Sequence, residues 1–182
     1  MSQPGTAVLN NIGFVTVLNE ANGFLGGYLV TNVWGRPLEF RLSSAVQPNR
    51  VQQILYGDTL YPYICADLIA KTLIEKANLG VQLVITDKEI VLDLAHKMDI
   101  PVVWVSSLEE TQGSWSDDTV ISPGNAKRGP VRCHPDHCSG IPLAQEYLGK
   151  VEASIDLTEP FGRIRDAIVE ARKMGVTRQA QP

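Results

Sequence analysis

Two of the three cysteines and two of the three histidines of this 182-residue chain lie within six consecutive positions. The side chains whose type and spacing could do chemistry are therefore Cys133, His134, His137 and Cys138. Thiolate and imidazole are the ligands that zinc takes in proteins, and a short turn through the intervening proline would bring several of them around one ion. We interpret these four residues as candidate metal ligands, with zinc as the candidate cofactor.

The spacing of this cluster leaves its chemistry open. It matches neither C-x-x-C nor H-E-x-x-H. Beyond Cys133, Cys138 and one histidine, the fourth ligand could be the second histidine, Cys65, Asp136, a water or a group from another chain. A hydrolytic zinc also needs a general base beside an open coordination position, and Asp136 is the only acidic residue in the cluster. The alternative is a polar surface loop whose cysteines are free thiols or form an adventitious disulfide.

The remaining candidates for catalysis have structural explanations. His96 falls alone in a predicted helix, where a solvated or partly buried histidine is common. Cys65 falls on the apolar side of another predicted helix, and a buried thiol is inert. No serine lies in a G-x-S-x-G motif. We therefore assign no catalytic residue, and an enzyme is not the favoured class.

Aromatic residues and arginines form a second set of candidates, for contact with a protein partner. Interfaces are enriched in Trp, Tyr and Arg, and the set consists of Trp34, Arg36, Arg41, Arg50, Tyr61, Tyr63 and Trp115. Each aromatic residue could instead pack in the core or in a loop. Arg41 could form a surface ion pair with Glu39, worth about 0–1 kcal/mol, or join a second arginine in binding an anion.

Composition limits the classes of function. The formal net charge is −4 and the sequence pI is about 5.4, whereas a nucleic-acid-binding protein usually carries a basic face. Nucleic acid is therefore not an expected partner. No apolar run approaches the ~20 residues that cross a bilayer, and the N-terminus does not resemble a signal peptide. Three cysteines do not form a disulfide framework. We expect a soluble cytoplasmic protein with no membrane contact.

The N-terminal half predicts an antiparallel meander covered by helices. Apolar alternation indicates strands at 14–18, 24–34 and 38–45. Asn22-Gly23 suits the first hairpin turn, and Gly35 begins the second. The pair Gly26-Gly27 predicts either a bulge or a close approach of another element to the backbone. A short helix capped by Asn49 and ended by Gly57 follows, and then a half-buried helix over 60–77.

The C-terminal half predicts a β-α-β unit, a long loop and a last helix. The unit comprises strands at 81–86 and 101–105, which should be parallel, and a helix capped by Asp87 between them. Residues 107–142 lack periodicity, which predicts one long loop. One or two helical turns are expected after it, at 143–148. A strand at 151–156 precedes a helix that Thr158 caps and Gly175 ends. We place a flexible leader at 1–12, a single domain at 13–175 and a flexible tail at 176–182.

The predicted parallel strands suggest a further place for a ligand. In open α/β sheets ligands bind outside the carboxyl ends of the strands, which here are Thr86-Asp87 and Ser106-Ser107. No glycine-rich phosphate-binding motif follows either strand. A Rossmann-like small-molecule binder is therefore an alternative without a phosphate site.

Three stretches carry a resemblance to a group of proteins. The sequences GRPLEFR at 35–41, PNRVQQILYG at 48–57 and EPFGRIR at 159–165 resemble uncharacterised bacterial proteins with a hairpin, a helix and a β-α-β arrangement. The resemblance covers most of the chain by order of elements. It implies a fold, and it implies no activity, cofactor or site residue.

The resulting expectation is a mixed α/β fold, with an antiparallel meander joined to the β-α-β unit in one sheet and a C-terminal helix. We expect a non-catalytic adaptor or regulatory subunit of a bacterial multi-protein system. It would contact a protein partner, either a different protein or a second copy of this chain, through its sheet edge and long loop. The alternatives are a zinc-binding protein, structural or hydrolytic, and the small-molecule binder.

Overall fold

A seven-stranded mixed sheet runs through the protein in the computed structural model, which describes residues 8–110, 115–137 and 140–175. The strands are β1 (Asn11–Glu20), β2 (Gly23–Asn32), β3 (Pro37–Leu42), β4 (Leu83–Thr86), β5 (Val102–Val105), β6 (Val120–Ser122) and β7 (Val131–Arg132). Their order across the sheet is β3-β2-β1-β4-β5-β7-β6. The pairs β1–β4 and β4–β5 are parallel, and the other pairs are antiparallel. The predicted mixed sheet is confirmed.

Helices lie along both faces of this sheet. They are α1 (Arg50–Tyr56), α2 (residues 60–75, with π-helical geometry over Tyr63–Lys71), α3 (the 3-10 helix Glu89–His96), α4 (Ile141–Glu152) and α5 (Glu159–Lys173). Helices α2 and α3 cover one face, and α4 and α5 cover the other. The predicted C-terminal helix is α5.

Strand β1 supplies alternate side chains to the two cores between these layers. Ile12 and Phe14 are fully buried on the α4–α5 side, where Phe14 meets Phe161 edge to face at 5.7 Å. Val15 and Val17 are buried on the α2–α3 side. Because both faces of the strand are apolar and covered, a shift of one residue in register would exchange the two cores. The pattern therefore fixes the register of the sheet.

The glycine pair of β2 allows helices to approach the strand from both sides. A Cβ atom on Gly26 would lie 2.1 Å from Ile69 Cγ2 of α2, and one on Gly27 would lie 2.4 Å from Ile164 Cγ2 of α5. The predicted close approach is confirmed. The alternative, a bulge at the glycine pair, is not seen, because the irregularity in the β2–β3 pairing falls between Val30 and Thr31.

The predicted turns and the first short helix are confirmed by the backbone. Gly23 has φ of 107° beside the β1–β2 turn, and Gly35 has φ of 80° in the β2–β3 turn. Asn49 caps α1 by accepting from the Gln52 amide, and the Gln52 side chain accepts from the Asn49 amide. Gly57 ends the helix with a positive φ.

Two further predictions differ from the structure. Strand β1 begins at Asn11 and Leu9 is buried, so ordered structure begins inside the predicted leader. Residues 151–156 do not form a strand, because α4 continues to Glu152 and a turn follows. Residues 1–7 and 176–182 lie outside the described part of the chain.

The predicted long loop contains part of the sheet. Strands β6 and β7 lie within it, and α4 begins before its predicted end. A buried arginine organises the connection between them: Arg128 donates to the carbonyls of Pro123 and Gly129 and forms an ion pair with Glu152 of α4. Strands of two or three residues carry no detectable alternation, so the sequence could not reveal them.

Two predicted caps are also wrong. Asp87 does not cap α3; its carboxylate pairs with Arg165 of α5. Thr158 precedes α5 without a side-chain cap, and instead its amide and hydroxyl donate to Asp156 Oδ1 at 3.0 and 2.8 Å. Among the described residues, no helix is long and apolar enough to cross a membrane.

Replacing Gly26 or Gly27 by alanine should destabilise the protein by roughly 1–3 kcal/mol, because each new methyl group would overlap an isoleucine of a packed helix. Gly162→Ala is the matched control, since a Cβ there meets nothing within 4 Å, and alanine in a helix should stabilise by about 0.5–1 kcal/mol. Urea unfolding of the three variants measures the difference. Equal stability of all three would contradict the close approach.

The contribution of the Asp156 carboxylate to stability should depend on pH. Its bonds from Lys127 and then from Thr158 lower its pKa to about 2, against about 3.9 in an unfolded chain. The carboxylate therefore contributes stability above about pH 4, and the contribution disappears as the pH falls from there towards 2. In thermal melts, Asp156→Asn should be less stable than the natural protein at pH 5 and should approach it at pH 3. A constant difference would contradict this assignment.

Candidate metal centre

The three histidines of the chain come together at one edge of the sheet. The ring centroid of His96 lies 4.3 Å from that of His134 and 5.5 Å from that of His137. His96 is the last residue of α3, and the other two follow β7. The sequence contains no further histidine. This concentration identifies the strongest candidate for a functional centre.

Strand pairing explains the meeting of these two segments. Strand β7 pairs antiparallel with β5, with Trp104 opposite Arg132. The chain therefore leaves β7 at the end where β5 begins, and this is also the end to which α3 delivers the chain. A tight turn, in which the His137 amide donates to the His134 carbonyl at 3.1 Å, then holds the loop beside His96.

Three side chains of this cluster offer donor atoms to one point. His96, His134 and Asp136 each present a nitrogen or carboxylate oxygen, and these atoms all lie within 4.8 Å of one another. The Asp136 amide donates to His134 Nδ1 at 3.2 Å, so the lone pair of the neutral ring is on that nitrogen, and an ion bound there would replace this hydrogen bond. His134 Nε2 lies 3.7 Å from Asp93 Oδ1, beyond hydrogen-bonding distance.

The surroundings favour the neutral form of His134. Its burial, followed by the nearby His96, lowers its pKa below the ordinary value. Asp93 acts in the opposite direction and is the smaller effect. A metal ion requires the neutral imidazole. The neutral form of His134 is therefore favoured, and its lone pair accepts from the Asp136 amide.

The structure describes three of the four predicted ligands. His134 belongs to the donor group, and Asp136 joins it as one of the alternatives considered for the fourth ligand. Cys133 is buried on the α4–α5 side and lines the adjacent cavity. His137 lies in the wall of an adjacent cavity. Cys138 lies outside the described residues.

His96 is the functional candidate that the sequence did not reveal. The sequence places it at an ordinary position in a helix, and it is exposed there. Its role depends on the meeting of α3 with the loop after β7, and β7 contains only Val131 and Arg132. No spacing in the sequence encodes that contact.

A cavity of about 510 Å³ opens beside the histidines. Several lining residues are apolar, among them Met98, Ile100, Ile121 and Ile141, but polar atoms contribute more than half of the exposed wall. His96 and His137 belong to the same wall. The cluster and the cavity are therefore neighbouring parts of one site, at the amino end of β5.

The predicted ligand place at the carboxyl ends of the strands is a smaller cavity of about 220 Å³. Asp87, Ser106, Ser107 and Arg165 line it. The pairing of Asp87 Oδ2 with Arg165 links the end of β4 to α5, while Asp87 Oδ1 is buried without a hydrogen-bond partner among the described residues. Lys88 and Glu110 complete the charged lining.

The predicted partner-binding residues do not form one surface. Trp34 and Arg36 lie in the β2–β3 turn, about 30 Å along β2 from its other end. Arg50 and Tyr61 lie on the helices near the beginning of β2, where Tyr61 contacts Phe24. These four of the seven predicted partner-binding residues are exposed, but they lie at two different ends of β2.

The other three predicted anchors have partners within the protein. Arg41 forms the expected ion pair with Glu39 at 3.2 Å. Tyr63 stacks on Tyr56, with centroids 4.9 Å apart. Trp115 packs against the buried Trp104 at 5.2 Å, with the Arg132 guanidinium over its ring. These three side chains are half-buried and have contacts within the protein.

Helix α1 presents an exposed apolar surface that is not among the predicted anchors. Val51, Ile54 and Leu55 share one side of the helix and are 62, 65 and 77% exposed. Within the described part of the chain, no residue of α1 is buried. Exposed contiguous apolar side chains commonly mark protein contacts.

Cys65 is buried in α2, as expected, and burial raises its pKa to about 11. Its thiol is therefore protonated and unreactive at neutral pH, and a role as a metal ligand is not supported by its position in the core on the α2–α3 side.

No protein-family model and no curated protein matches this chain. Function has to be argued from the sites themselves.

Proposed function

We propose that this protein binds a divalent transition-metal ion of the zinc class through His96, His134 and Asp136. The observation that carries the proposal is the separation of the three donor atoms, at most 4.8 Å. Donors of a tetrahedral zinc site lie about 3.4 Å apart. Because His96 and Asp136 are exposed, rotation of their side chains can close the remaining ~1 Å.

The donor set favours zinc over the alkaline-earth ions. Two imidazoles and one carboxylate suit zinc, copper or nickel, whereas magnesium and calcium take oxygen ligands. Among ions of the first class, zinc has no redox chemistry and accepts a three-residue set with an open position. Zinc is therefore the ion to test first.

The ion would join two segments that are distant in the chain. One ligand comes from the end of α3 and two come from the loop after β7. Binding to the folded state alone raises stability by about 2.7 kcal/mol at a ligand concentration 100 times the Kd. A zinc-dependent rise in melting temperature is the direct consequence.

Replacing His96 by asparagine should abolish stoichiometric zinc binding without changing the stability of the metal-free protein, because the ring is exposed. Zinc titration by calorimetry, with elemental analysis of protein prepared without chelator, measures the effect. We expect about one zinc per natural chain and at least a tenfold weaker Kd in the variant.

Cys133→Ala is the matched control for this experiment. Cys133 lies in the core, so the variant should keep its zinc. Loss of zinc from Cys133→Ala together with retention by His96→Asn would overturn the proposed ligand set and restore the cysteine cluster. Absence of zinc from the natural protein would overturn the proposed function.

We also propose a second function, as an adaptor or regulatory subunit that docks on a protein partner through α1. The supporting observation is the exposed apolar side of this helix, Val51, Ile54 and Leu55. Tyr61 lies near its end and is also exposed. An aromatic residue beside aliphatic side chains is typical of the centre of an interface.

The double variant Ile54→Ser and Leu55→Ser should weaken association by at least tenfold while leaving the melting temperature unchanged, because both side chains are exposed. Analytical ultracentrifugation tests self-association. Binding of purified candidate partners, first identified by comparison of the natural and variant proteins as bait, tests association with a different protein. Val169→Ser, an exposed site on α5, is the control. Equal association of all proteins would contradict this function.

A further inference from the structure

Strand β3 lies at the end of the sheet, with a neighbour on one side only among the described strands. The Ser43 amide donates to the Gly26 carbonyl at 3.0 Å, and in an antiparallel pair every second residue forms such bonds with the neighbouring strand. The residues whose backbone amide and carbonyl point away from β2 are therefore Leu38, Phe40 and Leu42. A row of outward backbone groups of this kind is a template for pairing with another strand.

The side chains of β3 divide between the two faces of the sheet. Leu42 packs against the core on the α4–α5 side, and alternation places Leu38 and Phe40 on the same face. These two side chains are 44 and 39% exposed. Glu39 and Arg41 lie on the opposite face, where they form an ion pair. The edge of the sheet thus has exposed apolar groups on one face and one charge of each sign on the other.

The order of these residues makes β3 complementary to itself. Residues 38–42 are, in order, apolar, acidic, apolar, basic and apolar. When a second copy pairs antiparallel with Phe40 at the centre, Leu38 lies opposite Leu42 of that copy. In the same register Glu39 lies opposite Arg41. Opposite charges placed directly across a strand pair stabilise it, and this register provides two such pairs by symmetry.

The neighbouring registers lack this complementarity. A centre at Glu39 would place the two Glu39 carboxylates opposite each other, and a centre at Arg41 would do the same to the two guanidinium groups. Like charges directly opposite each other destabilise a strand pair. The charges of β3 therefore favour the register centred on Phe40.

The acidic group of this arrangement is held in place. The Glu39 carboxylate accepts from the amides of Asn78 and Leu79, at 3.0 Å in each case. The bond from the Asn78 amide is the main cause of a pKa below the ordinary value for Glu39, so this carboxylate is charged at neutral pH. Because its position is set before a second strand arrives, less conformational freedom is lost on association.

We propose that two copies of this chain associate through β3, in an antiparallel pair centred on Phe40 that joins their sheets into one. Leu38, Phe40 and Leu42 of each copy exchange backbone hydrogen bonds with the other copy. Each Glu39 carboxylate then lies between the Arg41 guanidinium of its own chain and that of the second copy. The contact uses the same surface on both copies and closes at two. It does not depend on the proposed metal site or on α1.

A disulfide across the centre of the pair tests the register. The two Phe40 Cα atoms would lie about 5.5 Å apart, a separation that a disulfide can span. The two Leu38 Cα atoms would lie about 14 Å apart, because an offset of four residues separates them. Phe40→Cys should therefore cross-link faster than Leu38→Cys by a factor of about ten or more.

Oxidation by diamide followed by non-reducing electrophoresis measures this difference. The two positions are similarly exposed, so Leu38→Cys is the matched control for reaction by random collision. The natural protein gives the baseline for its own cysteines.

Charge reversal at Arg41 tests the association in solution. Arg41→Glu places a carboxylate opposite Glu39 at two symmetric contacts and should weaken dimerisation by about tenfold. Sedimentation over a concentration series measures the effect. Lys150→Glu makes the same change in net charge at an exposed position of α4, which contacts β6 at the other end of the sheet. This control should dimerise like the natural protein.

Three outcomes would overturn the proposal. The first is a natural protein that stays monomeric at its highest soluble concentration. The second is equal cross-linking of Phe40→Cys and Leu38→Cys, which would exclude the pairing centred on Phe40. The third is a dimer that Arg41→Glu retains and that the double variant Ile54→Ser and Leu55→Ser loses, because α1 would then be the interface.

Discussion

The structure depends on the burial of β1 on both faces and along both edges. This strand pairs antiparallel with β2 and parallel with β4, and its side chains enter the two cores alternately. A strand so placed requires a helical layer on each side, since either face left open would expose a row of apolar groups. The two helical layers follow from this requirement, and the bare backbone at Gly26 and Gly27 of the neighbouring strand lets both layers approach closely.

The site lies away from the place that strand topology favours. In α/β sheets the carboxyl ends of parallel strands usually hold the ligand, and here that end has a cavity of about 220 Å³ with the Asp87–Arg165 ion pair in its wall. At the amino end of β5 the neighbouring strand is the short antiparallel β7, which ends there. The loop after β7 therefore returns beside α3, and this return forms both the histidine cluster and the neighbouring cavity.

The proposed metal site and the apolar side of α1 lie on different elements. The candidate donors lie on α3 and the loop after β7, whereas α1 follows the meander. The first offers nitrogen and carboxylate donors beside a cavity, and the second offers exposed aliphatic side chains. Each can be tested without disturbing the other.

The sequence alone determined the elements whose signals are local. The meander, its turns at Gly23 and Gly35, the capped helix from Asn49 and the β-α-β unit follow from periodicity and backbone preference, which act over a few residues. Tertiary structure decided what depends on distant contacts. Strands β6 and β7 are too short to show a period and exist through pairing with β5. Asp87 meets Arg165 instead of capping α3, and His96 becomes a candidate ligand only because that pairing brings His134 and Asp136 to it. Spacing along the chain carries no information about such a contact, since the distance is set by the packing of other elements.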